Sequence, residues 1–206
     1  MSEPPREKQS YHHGDLRVAL VRAAEEVIAE FGPQKLTLRE IARRAGVSHA
    51  APYRHFANKK DLIGAVVAQS YRELTKALQQ VQVVHENPLT RFEAMFHAYV
   101  DFATADVARF RLMFGSEVPE KDKHPELKLN SEESFQVVTD TIVACQEVGL
   151  IRDGNSQELA ITCWSTCHGV AVLMVDNQLP DSFNSDKKAV VTSTASNLYI
   201  GMRPLS

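Results

Sequence analysis

Cysteine is scarce in this 206-residue chain. There are three, an odd number, which argues against a disulfide framework and for a reducing compartment. Long apolar runs are missing too: the longest, Val170 to Val175, is far too short to cross a bilayer, so no membrane partner is expected. Met1 to Ser10 is charged and has no apolar stretch, so no secretory signal is visible and a cytoplasmic protein is expected. There is also no glycine-rich phosphate loop, no nucleophile elbow and no cluster of metal ligands at a recognisable spacing. Acids and histidines are scattered, so neither catalysis nor a cofactor is expected.

What is present is a globular composition, 44% hydrophobic and 24% charged, with a formal net charge of −3. That charge is unevenly spread. Lys35 to Lys60 contains seven basic residues (Lys35, Arg39, Arg43, Arg44, Arg54, Lys59, Lys60) against Glu40 alone, which leaves −9 for the remainder. A basic segment on an acidic chain is an electrostatic footprint for a polyanion, although a solvated helix face would carry the same charge.

Nearly every periodic stretch repeats at 3.6 residues, which predicts an all-α protein of about nine helices. Leu16, Leu20, Ala23, Val27 and Phe31 form one stripe, ended by Gly32-Pro33. Thr37 to Glu40 reads as a capping box, with Leu36 and Ile41 as its hydrophobic staple, and Gly46 ends that short helix. Ser48 opens a third helix, about His49 to His55, and Asn58 with Asp61 opens a fourth. Downstream, helices are predicted from Asn87-Pro88, from about Asp106 to Phe114, from Glu126 to Val148, from a Ser156 cap to Asn177, and from Asp186 to Ile200.

The helices on either side of Ala45-Gly46-Val47-Ser48 make a helix-turn-helix pattern. Ile41, Ala45 and Val47 point inward, which presents the second helix outward as one that enters a major groove. Tyr53 and His55 also read as packing residues of the helix pair, and Arg43 and Arg44 as a solvated face.

These motifs, Leu36 to Ala42, Ala45 to Ser48, Tyr53-Arg54-His55-Phe56 and Asn58 to Leu62, resemble the tetracycline-repressor (TetR) family of regulators over about Asp15 to Val67. Tyr11 to Leu16, Arg111 to Gly115 and Trp164-x-x-x-His168-Gly169 resemble a subgroup with that Trp-His-Gly pattern. The resemblance implies a helix-turn-helix domain over residues 1–60 and a helical ligand-binding and dimerisation domain over 61–206. It implies a homodimer on a palindromic double-stranded operator, most simply a repressor, released by a small-molecule effector. Thr37, Tyr53, His55 and Lys59 would hold phosphates, and Arg39 a base. His49, Ala50 and Ala51 would face the groove, and Arg54 would read a base or hold a phosphate. Pro52 departs from the family's aliphatic residue and tightens or distorts the recognition helix. The competing class is a helical small-molecule carrier or enzyme with a vestigial helix-turn-helix.

Six of the nine phenylalanines fall between Arg91 and Phe135. Phe92, Phe96, Tyr99, Phe102, Phe110, Met113, Phe114 and Phe135 are therefore candidates for an aromatic pocket taking an apolar or amphipathic effector, against the plainer reading of a helical core. Tyr99, His97 and Met113 are candidates to orient it. Ligand occupancy is expected to shift the fourth helix. Two late stripes read as a dimer face. They are Leu159, Cys163, Trp164, Cys167, Val170, Ala171 and Met174, then Val191, Thr194, Ala195 and Leu198. Cys163-x-x-x-Cys167-His168 offers too few ligands for a metal, so none is assigned.

Overall fold

The computed structural model describes residues 13–184 and 186–204, so the tail motif at Tyr11-His12 lies outside the described residues. Among the described residues nine α-helices follow one another without a strand. They are α1 (His13–Phe31), α2 (Leu38–Arg44), α3 (Lys59–Val84), α4 (Pro88–Ala105), α5 (Val107–Met113), α6 (Pro125–Glu147), α7 (Ser156–Val175), α8 (Asp181–Asn184) and α9 (Lys187–Met202). The fold is all-α, with an N-terminal head of α1, α2 and the turn after them. The long α3 leaves the head and enters the body, where it packs along α6 and α4, while α4 in turn packs on α7 and α9.

Local chemistry explains the head. Thr37 Oγ1 accepts from the Glu40 amide at 3.1 Å, capping α2. The other half of the expected capping box does not form, because the Glu40 carboxylate turns forward onto Arg43 at 2.6 and 2.9 Å. Leu36 and Ile41 are fully buried on either side of that cap. At the far end Gly46 takes φ +67°, its amide bonding Arg43 O at 3.2 Å while Val47 N reaches Ala42 O at 2.9 Å. That pair of bonds is a Schellman stop, and it sets the turn.

The third helix departs from expectation. Instead of an α-helix over His49 to His55, the chain makes a turn and then a short 3₁₀ helix, Pro52–Arg54. Pro52 has no amide hydrogen to give Ser48 O, which accepts from Ala51 N at 2.9 Å instead. Arg54 to Ala51 and His55 to Pro52 continue that three-residue spacing at 3.2 and 2.9 Å.

The body is joined by a polar seam. Asn130 Nδ2 donates to Ala68 O at 3.0 Å, and Ser134 Oγ donates to Tyr71 O at 3.0 Å. Thr75 and Ser134 hydroxyls lie 2.5 Å apart, and Gln82 Nε2 donates to Thr141 at 2.8 Å. These buried polar groups are all engaged, as burial requires. Asn155, one residue before the expected Ser156, caps α7. By length and composition α7 is able to span a membrane, but Ala160, Cys163 and Ala171 lie in the apolar core.

Head meets body at the first turns of α3. A Cβ at Gly64 would sit 3.0 Å from His124 Nδ1 and 3.2 Å from Pro119 Cγ, so the absent side chain admits the segment between α5 and α6. Lys59 faces Glu117 of that segment at 3.7 Å, and Asp61 faces His124 at 3.9 Å. The Glu126 carboxylate then joins Arg17 of α1 to Arg72 of α3, the latter at 2.6 Å.

Candidate functional site

On the head, Thr37, Arg39, His49, Ala50, Tyr53 and Arg54 are exposed, and His55 is half-buried with its ring 6.4 Å from that of Phe56. Tyr53 is 60% exposed, so it does not pack the helix pair. Ala51 does: it is 9% exposed and sits beside the buried Pro52, so the expected groove contact at Ala51 is corrected to a packing role. Ala51 has helical dihedrals, φ −62° and ψ −44°, and leads directly into the 3₁₀ turn at Pro52.

The basic cluster is partly neutralised. Arg43 pairs with Glu40, while Arg44 pairs with Glu30 at 2.6 Å and with Glu26 at 3.7 Å. Hydrogen bonding to the carboxylates raises both guanidinium groups and lowers Glu40. Lys59 at the start of α3 is half-buried and paired with Glu117. Lys35, Arg39, Arg54 and Lys60 have no carboxylate within 4 Å among the described residues, so the positive field of this face rests chiefly on them.

The body holds a cavity of about 520 Å³ between α3, α4, α6 and α7, in the size range of small-molecule sites. Four predicted residues line it: Phe96, Tyr99, Phe114 and Phe135. The other four do not. Phe92 packs on Phe96 and Tyr199, Phe102 lies beneath the Arg109 guanidinium, and Phe110 stacks among Tyr99, Phe114 and His168. Met113 is core at 3% exposure. Helical spacing shows that a residue is buried, not whether a hole lies beside it. His97 is not in the lining either, its Nε2 lying 3.0 Å from Thr192 of α9.

Several lining residues went unread: Tyr71, Leu74 and Leu78 from α3, Lys121 from the segment before α6, and Ser134 and Val138 from α6.

The expected dimer stripe is largely internal. Leu159, Cys163, Cys167, Ala171, Met174, Val191 and Ala195 are buried within the protomer, and Trp164, Val170, Thr194 and Leu198 are half-buried. Cys163, Trp164 and Cys167 line the cavity. The cysteines have separate partners, Cys163 the Met202 sulfur at 3.8 Å and Cys167 the Phe96 carbonyl at 3.7 Å. Burial pushes the Cys163 thiol up to about 12 and Cys145 up to about 11, so neither is a ready thiolate.

Trp164 and His168 meet on Tyr99. Trp164 Nε1 donates to the Tyr99 hydroxyl at 3.3 Å, which leaves that hydroxyl to donate to His168 Nδ1 at 2.8 Å. Burial holds the imidazole below its ordinary value and raises the phenol, so both stay neutral. Phe114 stands edge-on to the imidazole at 4.4 Å and completes the box.

Comparison with known proteins agrees with both halves. Residues 20–66 match the family model described as bacterial regulatory proteins, tetR family, and residues 92–198 match that of the tetracyclin repressor-like C-terminal domain. The transcriptional activator FasR of Mycolicibacterium smegmatis is 32% identical over 127 residues, 61% of this chain and 58% of that protein. An HTH-type transcriptional repressor of Mycobacterium tuberculosis is 36% identical over 73 residues, 35% of this chain and 39% of the relative. The chain thus spans between two fifths and three fifths of these curated relatives. A protein of unknown function from Rhodococcus sp. RHA1 superposes with a TM-score of 0.83 at 30% identity, covering 96% of this chain and all of that one. With its C-terminal model alone matching over half of the residues, the chain belongs to the TetR family of transcriptional regulators.

Proposed function

We propose that the protein is a cytoplasmic, ligand-responsive homodimeric repressor that binds a palindromic operator and leaves it when an effector fills the body cavity. The observation that carries this reading is an exposed, unpaired set of cations on a helix-turn-helix whose α3 also walls an apolar cavity. On this reading residues 1–60 bind DNA and residues 61–206 bind effector and partner. Arg39 reads a base, and its planar fork suits guanine O6 and N7. Thr37, Tyr53, His55 and Lys59 hold phosphates, His49 and Ala50 face the groove, and Arg54 serves either role.

The surface left for a second copy is not the stripe read from sequence but its neighbour. After Glu158, α7 carries no Asp, Glu, Lys or Arg, and after Lys188 neither does α9. Yet Ile161 and Leu173 are each 43% exposed, and Ile200 is 62% exposed, among small residues such as Ser165, Gly169 and Ser193. An uncharged face of small and apolar residues on two adjacent helices suits a four-helix contact across a two-fold axis. Two-fold symmetry then matches half-sites spaced near a multiple of about 34 Å.

Coupling runs through the segment from Glu117 to Glu126 as well as through α3. That segment lends Lys121 to the cavity, and Glu117, His124 and Glu126 to the seam with the head. A ligand preferring one position of the segment would bias the spacing of the two heads. The test is fluorescence anisotropy on DNA from the chain's own upstream region against scrambled DNA, across salt concentrations. Sequence-selective binding that weakens steeply with salt is expected. Equal weak binding to that DNA and to a genomic fragment library would sink the regulator reading.

A further inference from the structure

Resting on the reading that the body cavity holds the effector, we propose that its ligand is an apolar monoanion. It would be a carboxylic acid with a hydrocarbon or aryl tail, its charged end on Lys121. Four lysines stand at the start of α3 and around the start of α6, namely Lys59, Lys121, Lys123 and Lys128, and three of them have carboxylates beside them. Lys59 has Glu117 at 3.7 Å, Lys123 has Glu120 at 2.9 Å, and Lys128 has Asp122 at 2.8 Å. Lys121 has none within 4 Å among the described residues. Although exposed as a residue, it extends its ammonium to 5.4 Å from the centre of the Tyr71 ring, on the cavity wall. Among the described residues no other lysine or arginine lines the cavity. Desolvation already holds this ammonium below the usual lysine range, with Glu132 acting against that shift. A partly desolvated cation with no carboxylate at ion-pairing distance among the described residues is a place where an entering anion is favoured.

The rest of the lining decides what the anion is attached to. Across the cavity the Tyr99 hydroxyl and Trp164 N–H are engaged with each other and with His168, and Ser134 is engaged with Thr75 and the Tyr71 carbonyl. Besides Ser131, Gln136 and Gln157, the walls offer the ligand the apolar faces of Leu74, Met95, Phe96, Phe114 and Phe135. Among the described residues Glu132 is the one carboxylate in the lining, and it disfavours a ligand with several negative charges. Lys121 also lies between Glu117 and His124, so an anion drawing on it pulls the segment that touches the first turns of α3.

Trp164 is the chain's single tryptophan and part of the cavity wall, so its fluorescence reads occupancy in the full-length protein. Decanoate and 4-phenylbutyrate would each be titrated against the matched alcohol, 1-decanol and 4-phenyl-1-butanol, with decanoyl-coenzyme A as the thioester. The expected result is that each acid binds about tenfold or more tightly than its alcohol. Lys121→Gln should remove that preference by weakening the acid alone, with unchanged alcohol affinity showing an intact cavity. Equal binding of acid and alcohol, or a preference that survives Lys121→Gln, overturns the proposal. So does a thioester that binds tenfold more tightly than the acid. In those cases release of DNA by the same probe still upholds the regulator reading. Silence of Trp164 and of DNA release toward all five probes removes the cavity reading, and this proposal with it.

Discussion

Between Leu36 and Phe56 every turn is decided by a residue no more than five positions away. The cavity, in contrast, is closed by pairs such as Thr75–Ser134 and Tyr99–His168, which lie 59 and 69 positions apart. In the head most of the side chains proposed to meet DNA stand in solvent, with His55 and Lys59 half-buried, on a frame set by local backbone bonds. In the body the side chains that shape the cavity also hold the helices together. Function and stability are therefore separable in one half and joined in the other.

The largest expected effect joins them. Phe110→Ala removes a 3%-exposed ring that packs on Tyr99, Phe114 and His168, and should lower unfolding free energy by about 3–5 kcal/mol. Urea denaturation would show this, together with loss of ligand response; a stable variant with a normal cavity would break the comparison. Arg39→Ala should do the reverse, weakening operator binding by about 1–3 kcal/mol while leaving urea midpoint and Trp164 response unchanged. A drop in stability there would mean the head is less independent than its local contacts suggest.

The smallest effects sharpen the comparison at the seam, where two carboxylates have opposite signs. Burial, reinforced by Glu73 and opposed by Arg109 and Arg22, raises Glu25 above 4.5. A raised folded value favours folding below 4.5, and that contribution is lost as pH rises through the folded value. Glu25→Gln should therefore stabilise the protein at pH 7, with the gain fading in acid. For Glu126 burial pulls upward, but Arg72 and Arg17 hold it below 4.5. Its contribution is present above 4.5 and is lost as pH falls through the lowered value. Glu126→Gln should destabilise by about 1 kcal/mol at pH 7, a figure already reduced for solvent screening, and by less in acid. Thermal unfolding of both variants from pH 3 to 8 checks the pair; slopes of the same sign would refute it.

The legibility of the chain follows the same division. Caps at Thr37 and Asn58, the stop at Gly46 and the disturbance at Pro52 are local events, so the helix boundaries and the helix-turn-helix could be read directly. The 3₁₀ form of the recognition element was half legible: proline forbids a bond, but only the folded chain shows Ala51 turning inward. The body yielded less because an apolar stripe shows which side of a helix is covered, not by what. Cys163 and Cys167 lie on such a stripe, and the cover is α4, α9 and the cavity. Lys121 carried no signal at all, since one lysine among several in a polar loop gains meaning only from partners brought close by folding.

Gly64 sets the play in the joint between the two halves. Within a helix, glycine is worth about 1 kcal/mol less than alanine, so this position keeps α3 weaker than it need be. The return is closeness, because His124 and Pro119 come within 3.0 and 3.2 Å of where a methyl group would stand. An alanine here would stiffen the helix and move those neighbours outward by a few tenths of an ångström. The same carbon atom would then strengthen a part while loosening the hinge it belongs to. On the proposed reading, sensitivity to a signal, as distinct from strength of grip on either ligand, would be set at such a position by an atom that is not there.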